Sequence, residues 1–190
     1  PFANRVKDGV YHYHGKTYSL DINQKAENNA LHGLVYNKTF EVVEEKTTET
    51  YASVTLMYQE RRVSQGFPFT YCIYLEYVLT KTTLDLNVEI KNTDSQAFPF
   101  TLGWHPYFLS FDLSKSSLVF DCNKKTVLDA RNITQGITYI EPMECLEIKE
   151  QSFDDCYVLN SNEVTFLTPR YTLKLISTEQ DSFLQIYTPP

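Results

Sequence analysis

One histidine in this chain stands among aromatic walls. In Phe98-Pro-Phe-Thr-Leu-Gly-Trp-His-Pro-Tyr-Phe108 the only tryptophan, one of four histidines, two prolines and four other aromatics fall within eleven residues. Pro106 restricts the backbone of His105 to extended conformations. Trp104 and Tyr107 each offer a large apolar body with one polar tip. Two roles fit such an imidazole. It suits a general acid or a contact in a sugar-binding site, and it equally suits a hydrogen-bonded histidine in a core turn. Gly103 lets the backbone bend or approach something closely. Phe98 to Leu102 reads as a strand edge, because Pro99 cannot donate to a ladder.

Other residue types could also do chemistry. His32 lies in Asn29-Ala-Leu-His-Gly33, where the glycine leaves room for a ligand or another backbone beside the imidazole. His12 and His14 are two apart on a strand, and so on one face, but no third ligand is suggested nearby; a metal site is not expected. Asp154 and Asp155 stand at the mouth of a strand. Cys72, Cys122, Cys145 and Cys156 are dispersed without CxxC spacing and read as reduced thiols of an intracellular protein.

The elements that must position these residues are strands. Tyr 14 and Phe 12, with abundant Thr and Val, suit pleated, half-buried surfaces. No segment sustains a 3.6-residue period for three turns, so the composition reads as all-β. Val10-His14 and Tyr18-Ile22 form a hairpin turning at Gly15-Lys16. Further strands are expected at 39–46, 50–59, 71–79 and 83–90. The last alternates Leu84, Leu86, Val88 and Ile90 toward a core with Asp85, Asn87 and Glu89 toward water. Beyond Phe108, shorter strands are expected near 118–120, 126–128, 138–140, 153–159, 164–167, 171–177 and 183–187, with Glu144 to Glu150 a charged surface turn. Antiparallel strands at this spacing make a sandwich or a barrel. No linker, repeat or second domain is visible, so residues 1–190 read as one domain.

Charge narrows the function. With 17 basic and 24 acidic residues the net charge is 17 − 24 = −7, and no basic stripe offers a nucleic-acid surface. The apolar runs are strand-sized, so no membrane span is expected. No charged-then-apolar opening is seen, and a cytoplasmic setting is expected. The opening at Pro1-Phe-Ala-Asn-Arg5 without a methionine reads as a chain clipped from a longer one.

Taken in order, Pro1-Phe-Ala-Asn-Arg5, Asp8-Gly9-x-Tyr11, Gly15, Tyr18-x-Leu20, Leu31-His-Gly33, Gly66-Phe-Pro-Phe69, Gly103-Trp-His-Pro-Tyr-Phe108, Asp154-Asp-x-Tyr-Val158 and Gln185-Ile-Tyr-Thr-Pro189 form a series that resembles the aldose 1-epimerases, or galactose mutarotases. The match runs along nearly the whole chain. The resemblance implies a large antiparallel β-sandwich of the galactose mutarotase-like kind, truncated at both ends. It implies interconversion of the α and β anomers of a free hexose, without cofactor or metal. The partner is then a monosaccharide of the glucose or galactose type, bound by a monomer or a homodimer.

In that chemistry one group protonates the ring oxygen while another takes the proton of the anomeric hydroxyl. The resemblance gives His105 the acid's part and His32 that of a second histidine at the ring oxygen. It gives Asp154 the sugar hydroxyls as acceptor and Arg5 the same hydroxyls as a fork of donors. Trp104 and Tyr107 are expected to line the pocket on chemical grounds alone, and a plain core role fits them equally. The family's general base is a glutamate in a strand after the Tyr-Thr-Pro turn, so it is expected beyond residue 190. Glu141 has a similar local context but precedes the Asp154 motif, and is read as a decoy. Three other readings compete. A carbohydrate-binding module would need only Arg5, Asp154 and the aromatics. A hexose-phosphate epimerase would need more Arg and Lys near the site. A purely structural sandwich would leave the His32, His105 and Asp154 pattern unused.

Overall fold

The computed structural model describes residues 2–62, 64, 66–179 and 182–188. Among them the only helical turn is a 3-10 segment at Leu113–Lys115, and every strand pairing is antiparallel. The all-β reading of the composition therefore holds. The chain divides into two compact units, one ending at Trp104 and the other starting at His105. Of the motif residues, Pro1 and Pro189 lie outside the described residues, as does Pro190.

In the first unit, β1 (Val6–Lys7) pairs with β4 (Asn29–Ala30), and β2 (Val10–Tyr13) pairs with β3 (Lys16–Ser19). Next comes a meander of β5 (Glu41–Thr47), β6 (Ala52–Glu60), β7 (Tyr71–Leu79) and β8 (Leu84–Asn92). The β2–β3 hairpin turns at His14 (φ 47°) and Gly15 (φ 73°), one residue earlier than Gly15-Lys16, and its return strand stops at Ser19. Two left-handed residues match the twist of a two-residue hairpin, and Lys16 could not supply one as readily as His14 and Gly15 do together. His14 therefore belongs to the turn and does not share a strand face with His12.

Aromatics make the core of this unit. Phe67 is 1% exposed and meets Phe69, Tyr71 and Phe98 at ring-centroid distances of 5.0, 5.8 and 5.4 Å. Gly66 is what lets that chain segment press on the β2–β3 hairpin, since a Cβ there would stand 2.3 Å from the carbonyl oxygen of Ser19. Beside it the Tyr11 hydroxyl donates to the Gly66 carbonyl at 2.9 Å. The expected alternation of β8 is present, with Leu86, Val88 and Ile90 half-buried and the intervening polar residues exposed. Its first member, Leu84, is exposed, while Ile90 packs on the aromatic core.

Phe98 to Leu102 is not a strand. Phe98 turns its ring into the core cluster, Pro99 has no N–H to offer, and the Thr101 hydroxyl accepts the Ala3 N–H at 2.9 Å. Side-chain anchorage here takes the place of a backbone ladder.

In the second unit, β9 (Ser117–Leu128), β10 (Thr134–Glu147), β11 (Asp154–Leu159), β12 (Glu163–Leu167), β13 (Thr172–Ile176) and β14 (Phe183–Tyr187) form one sheet. Its order is β13-β12-β9-β11-β14, with β10 also paired to β9. The short strands expected near 118–120, 126–128 and 138–140 are pieces of two long ones. The polar run between them continues the ladder because its inward partner, Cys122, is fully buried beside Phe120. Glu144 to Glu147 is likewise strand, not surface turn. Between Tyr139 and Met143 the register slips, so Glu141 and Pro142 sit in a bulge where a missing N–H costs nothing. Phe120, Tyr157, Val164, Phe166 and Ile186 complete this core.

All four cysteines are free thiols. Burial pushes the Cys156 thiol up, and burial followed by the nearby Asp121 charge does the same for Cys122. Among the described residues no helix is long and apolar enough to cross a membrane.

Truncating Phe67 to Ala removes the ring at the centre of the aromatic cluster and should cost about 3–5 kcal/mol in denaturant unfolding. Two tyrosines of this cluster also make stability depend on alkaline pH. Burial, with Tyr18 nearby, pushes the Tyr11 hydroxyl up to about 12, and burial with the Glu60 hydrogen bond does the same for Tyr58. An unfolded tyrosine loses its proton near pH 10, so the folded form holds more protons above that pH. The stabilisation is complete below pH 10 and lost as pH rises toward 12; a thermal midpoint that does not fall across this window would contradict it.

Candidate active site

The 98–111 stretch is tied down at both ends. In the first unit, Phe98 is held by the aromatic core and Thr101 by the Ala3 N–H. In the second, the Tyr171 hydroxyl donates to the Leu109 carbonyl, and the Arg170 guanidinium lies 3.7 Å from the Phe111 ring centroid. Ser116 extends this anchorage: its hydroxyl meets Ser110 at 2.8 Å and donates to the Asp112 carbonyl at 3.0 Å. Between the anchors the aromatic residues face outward. Trp104 is 53% exposed and Tyr107 73% exposed.

His105 is exposed, and its ring stacks on Tyr107 with centroids 5.1 Å apart and planes inclined by 30°. Asp154 opens β11 on the surface, where its Oδ1 accepts a 2.8 Å hydrogen bond from Gln185 of β14. That bond leaves an exposed carboxylate held in a fixed orientation by a neighbouring strand.

In the first unit the segment Phe2–Arg5 does the gathering. Arg5 donates from Nε to Gln24 Oε1 at 3.2 Å, and the same oxygen receives Asn29 Nδ2 at 3.3 Å. Gln24 and Asn29 also exchange backbone hydrogen bonds of 3.1 Å, which closes the loop leading to His32. His32 follows β4 and takes a left-handed conformation (φ 65°), as does Gly33 (φ 68°). A left-handed non-glycine residue costs roughly 1–2 kcal/mol, so something must hold it there. Gly33 is required on two counts, since a Cβ would meet the Phe2 carbonyl oxygen at 2.5 Å. The structure thus brings Arg5 and the His32 turn together through Phe2–Arg5, and brings His105 together with Tyr107. Asp154 is placed by the β11–β14 ladder through its bond to Gln185.

Sequence reasoning missed Gln24, Arg170 and Tyr171, and read Gln185 in its motif without its bond to Asp154. Each acts on a residue far along the chain, and no local pattern announces such a partner. Among the described residues no cluster of three metal-ligating side chains occurs. Two shallow surface hollows, of about 320 Å³ beside Tyr74 and Glu76 and about 290 Å³ beside Asp121 and Glu163, contain none of the six predicted site residues.

The family model of aldose 1-epimerase matches residues 1–190, and the chain belongs to that family. Two relatives from Escherichia coli K12 are similar in sequence. The uncharacterized protein YihR is 23% identical over 198 residues, covering 99% of this chain and 63% of that protein. The uncharacterized protein YphB is 32% identical over 114 residues, or 57% of this chain and 34% of that protein. Among solved structures, a galactose mutarotase-like protein from Clostridium acetobutylicum superposes with a TM-score of 0.75 at 19% identity, over 86% of this chain and 55% of that one. The galactose 1-epimerase of Lactobacillus acidophilus NCFM does so with 0.71 at 14% identity, over 88% and 56%. These likenesses show the fold, the antiparallel β-sandwich class of galactose mutarotase-like proteins. The chain spans less than two thirds of the length of each of these relatives.

Gly33→Ala should destabilise the first unit by more than about 1 kcal/mol, because both its backbone conformation and the Phe2 carbonyl oppose a side chain. Urea unfolding of the variant checks this; an unchanged midpoint would mean that the Phe2–Gly33 contact is not kept in solution.

Proposed function

We propose that this chain binds a free aldohexose and takes part in the interconversion of its α and β anomers. The observation that carries the reading is the exposed His105 imidazole stacked on Tyr107 and preceded by the exposed Trp104, in a chain matched along its length to the aldose 1-epimerases. Apolar sugar faces lie well against such rings, and an imidazole is a group that can both give and regain a proton, as this acid must.

The proposed chemistry is proton traffic around one ring. His105 gives its proton to the ring oxygen as the anomeric hydroxyl loses its own. The C1–O5 bond breaks, and the free aldehyde turns about C1–C2. Closure onto the other face returns the ring-oxygen proton to His105 while the base gives its own back to the anomeric oxygen. His32 steadies the ring-oxygen side, while Arg5 and Asp154 donate to and accept from the sugar hydroxyls. Trp104 and Tyr107 supply the wall. No residue among these is assigned to the base that takes the anomeric proton.

A second reading has an observation in its favour. A carbohydrate-binding module would need only Arg5, Asp154 and the exposed aromatics, since it does not turn its sugar over. Polarimetry on freshly dissolved α-D-glucose and α-D-galactose separates the two. A mutarotase speeds the approach to equilibrium, and His105→Ala should lower that acceleration on the order of 10²- to 10⁴-fold. Sugar binding with no acceleration, whether by this chain or by one extended to the length of its relatives, would establish the binding module instead, and absence of both would refute the proposal.

A further inference from the structure

We propose that Asn23 is a positioning residue for His32, acting through the peptide that leads into it. The inference rests on the sugar-site reading of His32 given above. Asn23 Oδ1 accepts the Leu31 N–H at 2.7 Å, and Asn23 Nδ2 donates to the Leu31 carbonyl at 2.8 Å. The same nitrogen donates its second hydrogen to the Tyr36 hydroxyl at 3.1 Å. All the donors of the amide are thus in use, and a flipped amide would set N–H against N–H and oxygen against oxygen.

The Leu31 carbonyl belongs to the peptide plane that carries the His32 nitrogen. Gripping that plane fixes where rotation about the His32 N–Cα bond begins. On the far side, the Phe2 carbonyl closes over Gly33. His32 and Gly33 are consecutive left-handed residues between these two grips. Tyr36 ties the clamp to the imidazole a second way, since its ring centroid lies 6.4 Å from that of His32 while its hydroxyl is bonded to Asn23. An unfavourable backbone conformation, held from both sides and carrying an ionisable side chain, is how a fold presents one group in one orientation. Asn23 does this with a neutral amide because it must both donate to and accept from a single residue. A carboxylate in its place could accept the Leu31 N–H but would face the Leu31 carbonyl with no hydrogen to give.

The clamp and the sugar site can be tested apart. The His32 ring resonances, assigned by their loss in His32→Ala, report the imidazole's surroundings without any ligand. Asn23→Ala and Asn23→Asp should each shift them, while an unchanged His32 signal in both variants would overturn the clamp whatever the sugar does. Calorimetric titration with D-galactose then measures the consequence. Asn23→Ala should weaken binding on the order of 10- to 100-fold, as loss of orientation does. In the His32→Ala background the same substitution should cost nothing further, because a positioning residue has nothing left to position. Additive losses would mean that Asn23 serves the fold generally, and would also overturn the proposal. Should the unaltered chain bind no sugar, the function proposed above fails while the ring resonances still decide the clamp.

Discussion

The insertion of Phe98 among Phe67, Phe69 and Tyr71 is the contact on which the candidate site depends. It sinks the first residue of the 98–111 stretch into the core of the first unit, with Phe67 almost wholly removed from water. Residues 99–111 have no strand pairing to hold them, so the aromatic anchor and the Ala3–Thr101 hydrogen bond settle where the stretch begins. Dispersion and burial act over the whole ring, so the anchor loses stability steeply if any neighbour shrinks. The exposed rings of Trp104 and Tyr107 are tolerable on these terms, because the core that fixes the stretch is built by other aromatics.

Arginine and histidine are presented by a second device, backbone contacts too close for any side chain but hydrogen. Gly33 under the Phe2 carbonyl and Gly66 against Ser19 bring distant segments to within bonding range. Phe2–Arg5 can then lie against the His32 turn, and Gln24 can bridge Arg5 and Asn29 with one oxygen. The polar side chains that result are partly exposed yet fixed. A sugar, which offers many hydroxyls of similar strength, is distinguished by where donors and acceptors stand more than by how strong each is.

Legibility in the sequence tracked the range of the interaction. Strand class, the β7 and β14 bounds and the inward face of β8 were readable, because period-two alternation and β-branched or aromatic residues are local signals. Glycine beside histidine at 32–33 and proline after histidine at 105–106 marked constrained backbones, also locally. The errors arose where a distant contact overrode the local pattern. Phe98–Leu102 alternates like an edge strand but is claimed by the core and by Ala3. The polar residues of β9 look like a break until buried Cys122 shows that they belong to one ladder. Asn23 sits within an ordinary polar loop, and only Leu31 and Tyr36 give its amide a purpose. The bonds of Tyr171 to Leu109 and of Gln185 to Asp154 were invisible for the same reason.

The central claim is that the aromatic stretch around His105 is a sugar site, and its single tryptophan makes that directly measurable. Trp104 emission should change saturably on titration with D-galactose or D-glucose, and the change should be lost or displaced to much higher concentration in Asp154→Asn. An emission that stays constant with every aldohexose, in a chain whose circular dichroism shows it folded, would contradict the account.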